Sequence, residues 1–377
     1  MSLSKSRFIE LFGSTDLSLQ KDDWVEIKSI GEVVSGSTPK TTNESYWGGE
    51  NKWITPAELS SDTYVITKTD RYLTDEGVKS CSLRKLPKNT VLLTSRAPIG
   101  KVAIAGTEMY CNQGFKNIIC NETVRPKYLF YLLKNNVRYL EYLGRGATFK
   151  EISKSIVENV KIPLFPIQEQ DRFIEFAEQI DKSKFLLQKI LEKLELLKKS
   201  RFIEMFDLYK EKKLSEVAEI IMGQSPDSNS YNNTEMGLPF YQGKTEFSDK
   251  YIGSPVTWCS SPCRIAEKND ILMSVRAPVG DVNIATEKCC IGRGLASIRP
   301  LDGESTFLFY ALKLKKAEIA SKGNGSTFKA INKETVHSIT IPDVPQELKV
   351  KFSMFAEQID KSKLVIQKSL EDLVGKS

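Results

Sequence analysis

The nonapeptide FAEQIDKSK occurs twice in the chain, at residues 176–184 and, unchanged, at residues 355–363. Apolar residues recur every seven positions around each copy, which is the spacing of a helix that buries one stripe of its surface. The sequence therefore predicts two long helices with a common pattern, placed 179 residues apart.

Three further motifs repeat in the same order ahead of each helix. They are SRAPIGKV at 95–102 and VRAPVGDV at 275–282, GATFK at 146–150 and GSTFK at 325–329, and IPLFP at 162–166 and IPDVP at 341–345. The offset between the copies stays at 179 or 180 residues, so the chain consists of two homologous halves in tandem.

The N-terminus carries a shorter repeat with a different offset. SRFIELF at residues 6–12 matches SRFIEMF at residues 200–206, near the end of the first predicted long helix. The N-terminal segment therefore resembles the missing end of the second long helix, which makes the order of elements cyclic. We expect the two chain ends to lie close together.

Between the repeats the chain has a mixed character. Short β-branched runs alternate with Gly, Pro and Asn turns and with amphipathic stretches, and each region has the size of one α+β (mixed α/β) domain. The prolines of the IPxxP motifs then stiffen the chain ahead of each helix. The predicted organisation is an N-terminal segment at 1–21, a mixed domain at 22–166, a long helix at 167–211, a second mixed domain at 212–345 and a C-terminal helix at 346–377.

Two heptad positions form an apolar seam along each predicted helix. The seam residues are Phe173, Phe176, Ile180, Leu187, Ile190, Leu194 and Leu197 in the first helix and Phe352, Phe355, Ile359, Ile366 and Leu373 in the second. Because each seam runs for about four heptads, we expect an antiparallel coiled coil between the mixed domains. The alternative is two independent amphipathic helices, each packed on its own domain.

Off the seam, each helix carries a second set of apolar residues at matching heptad positions. The set comprises Phe185, Leu186 and Leu191 and their counterparts Leu364, Val365 and Leu370. An isolated two-helix coil usually has charged residues there, so we interpret the set as a docking face for partner proteins. Contact with the adjacent mixed domain is the alternative.

Composition excludes several classes of function. The 377 residues include a single histidine, His337, so catalytic triads and histidine-ligated metal sites lack the residues they need. Cys259, Cys263, Cys289 and Cys290 have poor zinc-finger spacing, and an odd total of seven cysteines without an export signal predicts reduced thiols. Apolar runs are too short for a membrane span, and we expect a cytoplasmic protein. The formal charge of +6 is compatible with a polyanionic partner without requiring one.

The combined order of these motifs resembles one known family. Two unlike mixed domains, each followed by IPxxP and a long helix, resemble the specificity subunit of type I restriction-modification systems. The likeness covers nearly the whole chain and depends on RAP-hydrophobic-G, G-small-TFK and IPxxP occurring twice in order. The first helix begins with QEQ at 168–170, whereas Leu348 breaks that pattern in the second.

This resemblance implies a role for each part of the chain. The mixed domains would be target recognition domains, each reading one half of a bipartite asymmetric sequence in double-stranded DNA, in a pseudo-twofold cyclic arrangement. The antiparallel helices between them would set the half-site spacing and dock two methyltransferase subunits, through which restriction and translocase subunits would join the complex. S-adenosylmethionine, ATP and magnesium would belong to those partners, and this chain would be non-catalytic, with no cofactor or metal of its own. Accordingly, it contains no phosphate loop, GxGxxG turn or amino-methyltransferase motif.

Candidate DNA contacts are of two kinds. Residues shared by the halves, such as Arg96 and Arg276, either grip phosphate or brace their loop, and they are not expected to specify sequence. Residues that differ between the halves are the expected base readers. The candidates are Arg96, Lys101, Lys116, Arg145, Lys150, Gln242, Lys244, Arg276, Arg293 and Lys329. For Lys150 and Lys329, which follow a G-small-T motif, ordinary helix capping is the alternative to phosphate binding.

Two other functions remain open from the sequence. The chain is either the DNA-reading module of another class of modification enzyme, or a scaffold that recruits two copies of a protein through its pseudo-symmetric helices without reading DNA. The subunits present in the complex distinguish the first alternative from a type I system. Tight sequence-specific binding to duplex DNA distinguishes a DNA reader from the scaffold.

Overall fold

The computed structural model describes residues 10–60, 63–96, 98–144, 150–323 and 330–374, which form two compact units. Unit 1 comprises residues 1–186 and 370–377, and unit 2 comprises residues 187–369. Each unit holds one mixed region together with parts of the two long helices.

Unit 1 is built from short strands and helices followed by the first long helix. Its strands are β1 (Val25–Glu26), β2 (Gly31–Ser35), β3 (Trp47–Ile54), β4 (Val65–Ile66), β5 (Arg71–Leu73), β6 (Val91–Leu93), β7 (Val102–Ala105), β8 (Tyr110–Cys111), β9 (Lys116–Cys120) and β10 (Lys161–Ile162). Its helices are α1 (Ile27–Ile30), α2 (Asp75–Ser80), α3 (Pro126–Asn135), α4 (Val137–Leu143), α5 (Lys154–Glu158) and the first part of α6 (Ile167–Phe206). Three short 3-10 helices cover Leu17–Leu19, Glu44–Tyr46 and Pro56–Glu58.

Two sheets and a strand pair organise unit 1. The larger sheet has the order β2-β9-β6-β7-β4, the smaller has the order β5-β3-β8, and β1 pairs with β10. All pairings are antiparallel except β4 with β7 and β3 with β8. Helix α3 begins at Pro126, whose fixed φ suits a first helical position, and it packs on β7.

Unit 2 repeats this plan. Its strands are β11 (Glu211–Lys213), β12 (Ala218–Met222), β13 (Tyr231–Asn232), β14 (Leu238–Tyr241), β15 (Trp258–Cys259), β16 (Ile265–Ala266), β17 (Ile271–Ser274), β18 (Val282–Ile284), β19 (Cys289–Ile291), β20 (Leu295–Pro300) and β21 (Thr340–Pro342). Its helices are the end of α6, α7 (Leu214–Val217), α8 (Ser305–Leu314), α9 (Lys316–Ser321), α10 (Lys333–His337) and most of α11 (Gln346–Val374), with a 3-10 helix at Ser228–Ser230.

The sheets of unit 2 match those of unit 1. The order β12-β20-β17-β18 corresponds to β2-β9-β6-β7, and β11 pairs with β21 as β1 does with β10. The other sheet has the order β13-β15-β14-β19-β16, in which the parallel pair β14-β19 corresponds to β3-β8. The tandem halves predicted from the sequence are therefore the same fold built twice.

The central strand of each main sheet is buried on both faces. In β17, Ile271 and Met273 belong to one apolar cluster and Leu272 belongs to another. In β6, Val91 and Leu93 face one cluster while Leu92 faces a second. Because neither face meets water, the strand sequence is a continuous apolar run, without the alternation of apolar and polar residues that a half-exposed strand shows.

An aromatic contact supports the cyclic order of elements. In unit 2 the ring of Phe206, at the end of α6, lies 5.6 Å from that of Phe352 in α11. In unit 1 the ring of Phe12 lies 5.3 Å from that of Phe173, the residue that corresponds to Phe352. The N-terminal segment thus supplies to the first half the contact that α6 supplies to the second. The expected proximity of the chain ends concerns residues 1–9 and 375–377, which lie outside the described residues.

Within unit 2, α6 and α11 run antiparallel. The Lys198 ammonium lies 2.7 Å from an Asp360 carboxylate oxygen, and Lys363 lies 2.6 Å from Glu195, so that position increases along one helix as it decreases along the other. Lys198, with a side chain only 3% exposed, also donates to the Tyr310 hydroxyl at 3.0 Å. This contact ties the helix pair to α8 in the mixed region.

The predicted seam is buried unevenly. Phe173 and Phe352 are fully buried, whereas the side chains of Ile190 and Leu197 are 42% and 47% exposed. The other seam residues are partly buried; they are Phe176, Ile180, Leu187, Leu194, Phe355, Ile359, Ile366 and Leu373. Near the end of α6 the buried side chain is that of Lys198 and not that of Leu197. The Lys198 ammonium is satisfied there by Asp360 and Tyr310.

Two carboxylates, Asp360 and Asp249, each pair with two lysines of unit 2. Asp360 pairs with Lys198 and, at 3.0 Å, with Lys250 of the mixed region, while Asp249 pairs with Lys363 and Lys313. Burial acts to raise the pKa of the Asp360 carboxyl, but the hydrogen bonds and charges of Lys198 and Lys250 outweigh it and hold the pKa below its ordinary value. The same balance lowers the pKa of Asp249.

These lowered pKa values predict a pH dependence of stability. A carboxylate whose pKa is lower in the folded than in the unfolded state stabilises the fold above its unfolded pKa of about 4, and that contribution is lost as the pH falls through the folded pKa. We expect unit 2 to lose stability below about pH 4, with a shallower loss in Asp360→Asn. Urea unfolding at a series of pH values, followed by hydrogen exchange in α8 and α11, measures it. An unchanged pH slope in the variant would contradict the assignment.

Candidate nucleic-acid interface

Three loops meet at one end of the main sheet in unit 2. The loop after β12 (223–226) crosses the loop after β19 (292–294), and a Cβ on Gly223 would lie 2.1 Å from the Gly292 carbonyl oxygen. Only glycine permits this approach. The crossing is fixed by hydrogen bonds from Gln224 N to Ile291 O (3.1 Å) and from Gly223 N to Leu295 O (2.9 Å).

The third loop is the repeated RAP turn, residues 275–281. Ser274, the last residue of β17, closes it: its hydroxyl donates to Pro278 O at 2.8 Å and accepts from Asp281 N at 2.9 Å. Gly280 adopts a left-handed φ of 91° that suits glycine. Val275 N donates to Gly294 O at 2.9 Å, which joins this turn to the first two loops. We name residues 223–226, 275–281 and 292–294 loop cluster 2.

Unit 1 forms the same arrangement from residues 36–39, 95–96, 98–101 and 112–114, which we name loop cluster 1. A Cβ on Gly36 would lie 2.1 Å from the Asn112 carbonyl oxygen, so the same crossing requires glycine. Ser95 N donates to Gly114 O at 2.7 Å, and the Thr94 hydroxyl closes the RAP turn by donating to Pro98 O at 2.7 Å. The repeated motifs thus encode one backbone scaffold.

The repeated arginines lie at equivalent backbone positions in different electrostatic surroundings. Arg96 Nε lies 3.0 Å from Glu151, which also pairs with Lys116 at 3.2 Å. Burial acts to raise the pKa of the Glu151 carboxyl, but hydrogen bonds from Lys116 and Arg96 outweigh it and leave the pKa lowered. Arg276 pairs through its backbone with Ala330, the counterpart of Glu151, and is exposed. In the part of unit 2 that the structure describes, Arg276 has no carboxylate partner.

The sequence-predicted lysines are mostly engaged within the protein. Lys116 is buried and donates to Ser95 Oγ at 3.3 Å as well as to Glu151. Lys101 donates to the Leu59 carbonyl oxygen, and Lys244 lies 2.6 Å from Asp281. Lys150 is exposed.

The Lys116 ammonium is therefore held on the buried side of loop cluster 1 by Ser95 and Glu151. Base reading by Lys116 stays a prediction. Two further candidates, Arg145 and Lys329, lie outside the described residues.

Two exposed polar side chains occupy equivalent places at the tips of the clusters. Arg293, which was among the candidates, donates from Nε to the Ser225 hydroxyl at 3.3 Å. Gln113, which was not, accepts from the Thr38 hydroxyl with its Oε1. The signal that identifies Gln113 is its place in the repeat, one residue ahead of Gly114 as Arg293 is ahead of Gly294. The exposed Gln242 lies beside the same loop, with its carbonyl accepting from Gly294 N at 3.1 Å.

The described residues form no candidate metal site and no disulfide. Among them no group of three or more His, Cys, Asp and Glu side chains is placed to hold a metal ion, and all seven cysteines are free thiols. None of the helices described is long and apolar enough to cross a membrane.

Comparison with known families identifies both halves. The family described as "Type I restriction modification DNA specificity domain" matches residues 21–196 and again residues 207–373. A candidate type I restriction enzyme MjaX specificity subunit of Methanocaldococcus jannaschii is 34% identical over an alignment 376 positions long, which covers 90% of this chain and 87% of that protein. The MjaIX specificity subunit of the same organism is 42% identical over 209 residues, covering 53% and 48% of the two chains.

Solved structures give the same result. A chain of a type I R-M system, solved to explain complex assembly and conformational transition, superposes with a TM-score of 0.70 at 28% identity and covers 93% of this chain and 92% of its own. The HsdS subunit of Thermoanaerobacter tengcongensis superposes with a TM-score of 0.51, also at 28% identity, with the same coverage.

The two halves offer a matched test of the Lys116 ion pair, because unit 2 has Ala296 and Ala330 at the positions of Lys116 and Glu151. We expect Glu151→Ala alone to destabilise unit 1 by about 1–2 kcal/mol, since it leaves a buried ammonium without its carboxylate. The double variant Lys116→Ala, Glu151→Ala should recover part of that loss, because it removes the uncompensated charge. Urea unfolding combined with hydrogen exchange in β9 measures both. Strictly additive destabilisation would contradict the pairing.

Proposed function

The chain belongs to the type I restriction-modification DNA specificity family, and we propose from this that it reads a bipartite DNA target for a restriction-modification complex. The family suggested by the sequence motifs is confirmed. The fold class, α+β with two recognition domains and two long antiparallel helices, is confirmed as well.

The observation that carries this function is the repetition of one loop scaffold with different side chains. Loop clusters 1 and 2 share their glycine crossings, their RAP turns and their backbone hydrogen bonds. At their tips they present Gln113 in one and Arg293 in the other. A protein that reads two different half-sites needs this combination, because phosphate positioning is common to both sites and base identity is not.

Phosphate binding is the proposed role of Arg276. It is exposed, it projects from the turn that both halves share, and its side chain is not held by a carboxylate among the described residues. The Arg96 guanidinium lies 3.0 Å from Glu151, so its proposed role combines bracing the loop with contacting phosphate. Affinity for DNA should fall as salt rises, since each phosphate contact releases counterions.

The long helices are the proposed docking site for methyltransferase subunits. Leu364 and Val365 are 68% and 65% exposed, and Leu186 is 50% exposed, although an apolar side chain gains stability from burial. Of the other three members of this set, Phe185 is exposed and Leu191 and Leu370 are partly buried. Two methyltransferase subunits are the occupants that the family membership favours, with restriction and translocase subunits joining through them.

Catalysis is assigned to those partners. We propose that this chain is non-catalytic and holds no cofactor, while S-adenosylmethionine, ATP and magnesium serve the partner subunits. Since the proposed ligand is double-stranded DNA, the proposed compartment is the cytoplasm.

The proposed domain boundaries follow the repeats. Residues 22–166 and 212–345 are the recognition domains, 167–211 and 346–377 are the helical regions, and 1–21 completes the second of these. The N-terminal assignment is supported by the packing of Phe12 against Phe173, which parallels that of Phe206 against Phe352.

Methylation mapping tests the proposed function. We expect co-expression of the chain with the methyltransferase encoded beside it to methylate adenines within a split, asymmetric motif of fixed gap, mapped by single-molecule sequencing. The methyltransferase expressed alone is the control and should leave host DNA unmethylated, because it lacks the reader.

Two outcomes would overturn this function. A stable complex with active methyltransferase and no bipartite motif would favour the scaffold function. A bipartite motif in a complex that contains no translocase would favour another class of modification enzyme.

A further inference from the structure

Gln113 and Arg293 occupy one position of the repeated fold. Each follows the strand that pairs in parallel with β3 or β14, and each precedes the glycine whose carbonyl accepts from the RAP turn. Both side chains are exposed at the tips of their loop clusters. The backbone is thus the same in both halves, and the chemistry at this position differs.

A hydroxyl from the crossing loop anchors each side chain. Thr38 donates to Gln113 Oε1, and Ser225 accepts from Arg293 Nε at 3.3 Å. Thr38 and Ser225 correspond in the repeat, since each is followed by proline and stands two residues after the glycine of the crossing. Such anchoring orients the side chain and lowers the rotational freedom lost when it binds a ligand.

The anchors leave the base-reading groups available. The Gln113 amide keeps one lone pair on Oε1 and both N–H donors, and the Arg293 guanidinium keeps both terminal amino groups. Glutamine pairs with the N6 and N7 edge of adenine in the major groove, and arginine pairs with the O6 and N7 edge of guanine. Each side chain therefore retains a complete bidentate pattern for one base.

We propose that Gln113 and Arg293 are the equivalent specificity-determining residues of the two domains, Gln113 reading adenine and Arg293 reading guanine. The inference rests on the proposed function and deepens it, because it assigns a base to one position of each half-site. Arg276 is excluded from this role because Arg96 repeats it. Gln242 contacts loop cluster 2 through its backbone carbonyl, which accepts from Gly294 N, and it is not assigned this role.

The test exchanges the two side chains. In the complex with methyltransferase, Arg293→Gln should change a single base pair of one half-site from G·C to A·T, and Gln113→Arg should change a single base pair of the other half-site from A·T to G·C. On duplexes that carry each base pair at that position, the preferred base should switch with a discrimination of about tenfold to a hundredfold.

Two further variants keep the test decisive. Arg293→Lys retains the charge and can still donate to guanine, but it lacks the rigid guanidinium fork, so the preference for guanine should weaken while binding to other sequences stays within a few fold. Arg276→Gln is the matched control, and it should weaken binding equally on every duplex of the panel, because phosphate carries no sequence information.

The outcomes separate this inference from the proposed function. A wild-type complex without a bipartite motif overturns the proposed function and this inference with it. A bipartite wild-type motif that keeps the same base pairs in Arg293→Gln and in Gln113→Arg overturns the inference alone. Equal weakening on all duplexes by Arg293→Gln would reassign Arg293 to phosphate.

Discussion

The whole recognition surface depends on a strand that has no solvent face. β17 lies between two apolar clusters, with Ile271 and Met273 on one side and Leu272 on the other, and β6 lies in unit 1 in the same way. A strand held on both faces cannot shift its register without moving apolar side chains out of both clusters. The residue at its end, Ser274 in β17 or Thr94 directly after β6, is therefore fixed, and its hydroxyl closes the RAP turn. The loops gain their positions from the core beneath them.

The two halves share this core but place different charged side chains next to the RAP turn. Unit 1 places a buried lysine, Lys116, under its RAP turn and satisfies it with Glu151, which also takes Arg96. Unit 2 has Ala296 and Ala330 at the positions of Lys116 and Glu151, and its arginine is exposed. A buried ion pair contributes little net stability because desolvation offsets the attraction, so either solution suits the fold. The difference instead changes how much unpaired positive charge each turn exposes among the described residues.

Much of this organisation was predictable from repetition alone. The identical nonapeptide and the paired RAP and IPxxP motifs predicted two tandem mixed domains and two long helices, because an internal repeat reports architecture without reference to any single contact. The helix seam was harder, since heptad spacing does not reveal that Lys198 would turn inwards where Leu197 was expected. Lys116 was predicted as a base reader because it differs between the halves, and the sequence could not show that it is buried beside Glu151. The repeat could have pointed to Gln113, but its contact with Thr38, which is distant in sequence, could not be predicted.

Under the proposed function, each mixed domain reads one half-site. The most direct test is to replace one domain with a second copy of the other. In a chain whose residues 212–345 are replaced by a second copy of residues 22–166, the helices and the first domain are kept. We expect the methylation map of its complex with methyltransferase to contain the first half-site twice, separated by a fixed gap. A motif that still had two different halves, from a folded chain with active partners, would contradict the assignment of one half-site to each domain.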